Sequence, residues 1–93
     1  MYAVDRQLLN RLYHAAPVGT AVDWRAVLWP NHDTVGIRTL LLAGLLATDG
    51  RIHTVWVTPA GAAAVRAWRV AAWRARQAQA RARAAHHGLL LGE

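Results

Sequence analysis

The chain has 93 residues, no cysteine, 55% apolar and 17% charged residues, and a formal net charge of +6. That is room for one small folded domain with or without an arm, and it excludes a disordered chain, disulfides, zinc fingers and thiol catalysis. No apolar run reaches the roughly 18 residues of a membrane span, and the first residues lack the basic-then-apolar layout of a signal peptide, so a cytoplasmic protein is expected.

All eleven basic residues are Arg, with no Lys and no Ser, a bias that points to a GC-rich bacterial or phage genome. The charge is uneven. Residues 1–58 carry five Arg and four Asp, net +1, whereas residues 59–93 carry six Arg and one Glu, net +5. Such a balance favours a polyanionic partner without choosing among nucleic acid, membrane surface and acidic protein.

Taken in chain order, Asp5 is placed to cap a first helix whose Leu8, Leu9, Leu12 and Tyr13 recur on one face. Pro17 and Gly19 end it, and Thr20, Ala21 and Val22 form a short extended piece. Asp23 caps a second short helix over residues 24–29, which Pro30 stops. A third helix is predicted over residues 33–47, with Ile37, Leu40, Leu41, Gly44 and Leu45 inward. Asp49-Gly50 is a two-residue hairpin signal. It joins residues 45–48 to 52–57, where period-two alternation turns Val55 and Val57 inward and Trp56 outward. Thr58-Pro59 supplies an N-cap and a first helical position. No breaker interrupts residues 62–87, a helix of about 40 Å at 1.5 Å per residue, and Gly88 is its predicted C-terminal cap.

Helix, short strand, helix, helix, hairpin, long helix is the element order of a winged helix. The stretch Ile37-Arg38-Thr39-Leu40-Leu41-Leu42-Ala43-Gly44-Leu45-Leu46 resembles the end of the recognition helix in bacterial winged-helix regulators of the MarR and PadR type. The stretch Val55-Trp56-Val57-Thr58-Pro59-Ala60-Gly61 resembles their wing exit. The two stand in the usual order and separation, and the resemblance covers roughly residues 5–70. The expected fold is therefore α+β, mostly α: a winged helix-turn-helix domain over residues 1–61, with a two- to three-stranded wing sheet, and a long basic helix and tail over 62–93.

The resemblance implies that the third helix enters the DNA major groove, with His32, Thr34, Val35, Arg38 and Thr39 toward the bases. Arg38 would pair with guanine, and Thr34 or Thr39 would meet phosphate or a thymine methyl. It also implies backbone contacts from Arg51 and His53 in the wing and from Arg25 in the second helix. The residues themselves leave a second reading open. This helix carries a single Arg, and Leu42 points away from the Ile37, Leu40 and Gly44 side. An apolar face of that kind, together with an outward Trp56, suits a protein partner.

The last helix leaves three readings open. Trp68, Ala71, Ala75, Ala78, Ala82, Ala85 and Leu89 form a heptad seam that a second copy would share, giving a homodimer on a roughly palindromic site. Arg69, Arg76 and Arg83 form one row and Arg74 and Arg81 another, either solvated or laid along phosphates. Catalysis finds little support. Asp5, Asp23, Asp33 and Asp49 are explained as caps and a turn, and adjacent His86 and His87 point about 100° apart on a helix. With no phosphate-binding Gly loop and no Ser nucleophile, the expectation is a non-enzymatic regulator of transcription that binds double-stranded DNA, or alternatively a protein-interaction module, with no metal and no cofactor.

Overall fold

The computed structural model describes residues 3–28, 30 and 34–90, with backbone alone for Leu89 and Leu90. Seven elements follow in order: α1 (Ala3–Ala15), β1 (Val22–Asp23), α2 (Trp24–Leu28), α3 (Thr34–Leu42), β2 (Leu46–Ala47), β3 (Thr54–Val57) and α4 (Pro59–Leu90). The fold is mostly α, with a small antiparallel sheet and a long C-terminal helix. No described helix is long and apolar enough to cross a membrane.

Helix α1 begins at Ala3, so Asp5 is not its N-cap but lies within its first turn, where it is buried. Leu8, Leu9 and Leu12 bury one face as the spacing requires. After Pro17 the chain turns through a bond from the Thr20 amide to the Pro17 carbonyl. The extended piece that follows starts two residues later than expected and ends one later, at Val22 and Asp23. Asp23 does cap α2: its carboxylate accepts from the Arg25 amide at 2.9 Å. The expected end of α2 at Trp29, and the turn at Asn31, His32 and Asp33, lie outside the described residues.

Helix α3 stops at Leu42, not at 47. Gly44 takes a left-handed φ of 75°. Its amide donates to the Leu41 carbonyl at 3.1 Å, and the Leu45 amide donates to the Leu40 carbonyl at 3.0 Å. This paired closure is the Schellman motif, and it needs a residue that tolerates positive φ. Gly44 therefore ends the helix, where the apolar period alone had carried it on through Leu45.

The sheet has the order β1-β3-β2. Leu46 pairs with Val57 and Ala47 with Trp56, while Val22 pairs with Val55 and Asp23 with Thr54. The hairpin exists, yet its loop is not the two residues Asp49-Gly50. It spans the six residues between Ala47 and Thr54, and β3 is correspondingly shorter than 52–57. Side chains hold this wider loop. The Thr48 hydroxyl donates to the Thr54 carbonyl at 2.7 Å and accepts from the Gly50 amide at 3.2 Å. The Asp49 carboxylate accepts from the Arg51 amide at 3.0 Å.

Thr58 is the N-cap of α4. Its hydroxyl accepts from the Gly61 amide at 3.0 Å and donates to the Gly44 carbonyl at 2.7 Å. Ala62 and Val65 in the first turns of α4 join Leu9, Leu12, Trp24, Leu28, Leu40, Leu46, Val55 and Val57 in one core. Each large side chain buried there contributes roughly 1.5–3 kcal/mol. From Arg69 to His87 every residue is exposed. Gly88 does not cap the helix, which runs on to Leu90. The molecule measures 64 × 26 × 20 Å with a radius of gyration of 18.0 Å, against about 12 Å for a compact chain of this length.

Candidate nucleic-acid interface

Helix α3 buries Gly36, Ile37 and Leu40 and leaves Thr34, Val35, Arg38 and Leu42 exposed. Val35 is 75% and Leu42 83% exposed, so the outer face is a mixed strip with Arg38 in its middle. Thr34, Val35 and Arg38 line a shallow hollow of about 170 Å³ at the amino end of α3. The structure thus brings three of the five expected base-reading residues together. Thr39 departs from that group: it is half-buried, and its hydroxyl donates to the Val35 carbonyl at 2.9 Å. His32 lies outside the described residues.

The expected backbone contacts fare differently. Arg25 stands 3.7 Å from the Asp23 carboxylate, and Arg51 stands 2.7 Å from that of Asp49. Both carboxyls are held below the ordinary carboxylate range, first by the Arg25 and Arg51 backbone amides and then by the neighbouring guanidinium groups. Each of these arginines already carries a counter-ion, so an approaching phosphate meets a nearly neutral pair. Exposed pairs of this kind are weak and give way in salt.

His53 is half-buried and packs toward the domain. Its backbone has a positive φ of 58°, and its ring meets Trp24 edge-on at 5.4 Å between centroids. Its carbonyl accepts from the Trp24 amide at 2.9 Å, and its buried Nδ1 has no hydrogen-bond partner among the described residues. The loop also presents Ile52, 80% exposed. Sequence alternation missed it because the strand starts two residues later than the pattern suggests. Trp56 is half-buried between inward Val55 and Val57.

On α4 the two basic rows are not equivalent. Arg69 turns back onto α1, where its guanidinium donates to Asn10 Oδ1 at 3.2 Å, meets His14 Nε2, and lies 5.3 Å over the Tyr13 ring. It therefore leaves the phosphate row to which its spacing assigned it. Arg6 stands 5.2 Å over the Trp68 ring. Together Arg6, Arg69, Val65, Trp68 and Ala72 help line a groove of about 260 Å³ between α1 and α4. Trp68, the head of the expected pairing seam, is half-buried against its own core. Ala71, Ala75, Ala78, Ala82 and Ala85 lie exposed along α4, and the side chain of Leu89 is outside the described residues.

Arg74, Arg76, Arg81 and Arg83 are fully free. All four are exposed, and none makes a hydrogen bond or ion pair among the described residues. No group of three or more metal-ligating side chains gathers among the described residues. No protein-family model, curated protein or solved structure matches this chain.

Proposed function

We propose that this chain is a winged-helix DNA-binding regulator of transcription, with α3 entering the major groove and the loop after β2 lying beside it on the backbone. The observation that carries the reading is topological. A helix, a strand, two helices and a hairpin close around one three-stranded sheet, and the third helix keeps its outer face uncovered. A helix presented in this way fits a groove about 12 Å wide. Arg38 supplies the fork that pairs with guanine O6 and N7, and Thr34 a hydroxyl for a phosphate at the helix start. The net charge of +5 over residues 59–93 draws the chain toward a polyanion. The reading calls for no catalysis and no cofactor.

Selection of bound duplexes from a random pool, near physiological salt, tests it. The expected result is a reproducible motif whose preference at one position relaxes in Arg38→Ala, with a loss of about 1–3 kcal/mol. Equal weakening on every sequence removes Arg38 from base reading, and recovery without a motif removes sequence-specific regulation.

A second reading, a protein-interaction module, is favoured by the exposed Val35, Leu42 and Ile52. Leu42→Arg separates the two. It should leave DNA binding intact or strengthen it through one more cation, whereas a protein interface would lose its partner.

A further inference from the structure

The free part of α4 joins a complete lack of acidic residues to a particular placement of its arginines. Residues 59–90 contain six Arg and neither Asp nor Glu. Arg66 lies near the domain and Arg69 is bound to α1, which leaves Arg74, Arg76, Arg81 and Arg83. Arg74 and Arg81 are seven residues apart, as are Arg76 and Arg83, so each pair forms a row parallel to the axis with a step of about 10.5 Å. At 100° per residue the rows lie about 100° to either side of Ala75. The arc between them holds Ala71, Ala72, Ala75, Ala78, Ala82 and Ala85, with Gln79 and His86 the larger side chains on it.

We propose that this exposed part of α4 lies lengthwise in a major groove of duplex DNA, its two arginine rows on the two phosphate strands and its alanine-rich face, with Gln79 and His86, toward the bases. The inference rests on the DNA-binding reading and assigns that activity a second contact surface. Cations about 100° from the centre of a face point sideways and slightly back. They cannot both reach one flat strand of phosphates, but they do reach the two walls of a groove that takes the helix in. A face made mostly of alanine keeps the helix near the slender end of its usual 10–12 Å diameter, which suits a groove about 12 Å wide, and Gln79 on the same face carries an amide of the kind that pairs with adenine. The exposed methyls are small enough to approach base edges and to touch a thymine methyl.

Charge also decides against the other occupants. Two copies of α4 joined antiparallel at the alanine seam would face Arg74 and Arg81 toward the same row of the partner, with no acid in either helix 59–90 to offset them. The alanines would bury little area in return. An acidic helix would match the rows in sign, but it is a single line of charge between them, where a groove offers two.

The experiment measures binding of the whole chain to a duplex of about 30 base pairs across a range of salt. It uses Arg74→Gln/Arg81→Gln, Arg76→Gln/Arg83→Gln, the fourfold variant and Arg38→Ala. Because the four arginines are exposed and make no hydrogen bond or ion pair among the described residues, the variants should melt like the parent. Each pair should reduce the slope of log affinity against log salt by about 2, and the fourfold variant by about 4. Guanine N7 faces the major groove, so dimethyl sulfate methylation should be blocked over the arm by the parent and by Arg38→Ala, but not by the fourfold variant. Slopes unchanged by all four substitutions, with a sequence preference that still depends on Arg38, would overturn the groove placement and leave the DNA-binding reading standing. A change from one row alone places the arm along a single strand and overturns it too. Failure of the parent to bind duplex overturns both, whether the same rows then capture polyglutamate or the chain sediments as an α4-paired dimer.

Discussion

Gly61 lies directly against the backbone carbonyl of Leu45. A methyl group on its Cα would overlap the Leu45 oxygen and come within 3.0 Å of Val57 Cγ1. The Leu45 carbonyl also accepts from the Thr58 amide at 3.2 Å. The end of α3, the end of β3 and the start of α4 therefore meet within a few residues of one another. This junction gives a physical reason for the two glycines in the stretches that resemble winged-helix regulators: Gly44 for its positive φ and Gly61 for its close approach.

Gly61→Ala should accordingly destabilise the fold by roughly 2 kcal/mol or more, as overpacking at a rigid backbone contact does. Urea unfolding followed by circular dichroism measures it. A loss under about 0.5 kcal/mol, the size of an ordinary surface change, would show that the junction yields.

Thr58 has two roles that a β-branched isostere separates from shape. Thr58→Val keeps the volume and removes both the acceptor for the Gly61 amide and the donor to the Gly44 carbonyl. The expected cost is about 1–2 kcal/mol, with Thr58→Ser recovering most of it. Equal stability of the Val and Ser variants in the same unfolding assay would refute the cap.

Much of this junction was legible from sequence. Thr58-Pro59 as cap and first turn, and Asp23 as the cap of α2, follow from local chemistry that acts within three residues. The end of α3 was not legible, because Leu45 and Leu46 continue the apolar period and only the backbone at Gly44 shows that the helix has stopped. The candidate site divides in the same way. Arg38, Val35 and Leu42 project from α3 as their spacing demands. Arg25, Arg51, His53 and Arg69, assigned to a ligand by position, also meet Asp23, Asp49, Trp24 and the α1 face in this structure. Those ties depend on side-chain direction, which spacing does not encode.

Acid should weaken the fold in a way that traces partly to the caps. The carboxyls of Asp23 and Asp49 are held below the ordinary carboxylate range, chiefly by the backbone amides of Arg25 and Arg51. A carboxyl with a lowered folded pKa contributes stability that is fully present above its unfolded pKa and is lost as pH falls through the folded value. The loss therefore belongs below about pH 4. Thermal melts from pH 5 to pH 2 should show a shallower decline for Asp23→Asn, which still accepts from the Arg25 amide but does not titrate. Parallel curves for variant and parent would rule out Asp23 as a source of the acid sensitivity.

Removal of the arm should separate stability from binding. A chain ending at Ala72 keeps Ala62, Val65 and Trp68 and gives up, among the described side chains, exposed residues and the half-buried Gly88. Its melting temperature should stay within a few degrees of the parent, while its affinity for duplex falls and its salt dependence flattens. A drop of ten degrees or more by calorimetry would mean that the arm supports the domain.

The long helix is also a lever. Its root is clamped at Thr58 and Gly61 to the carboxyl end of α3, and its 32 residues extend about 48 Å from that clamp at 1.5 Å per residue. A tilt of about 5° at the root would swing the far end by about 4 Å, more than a hydrogen-bond length. Any tilt of α3 that carries this junction with it would thus re-aim the tip of α4, a small change at one end becoming a large displacement at the other.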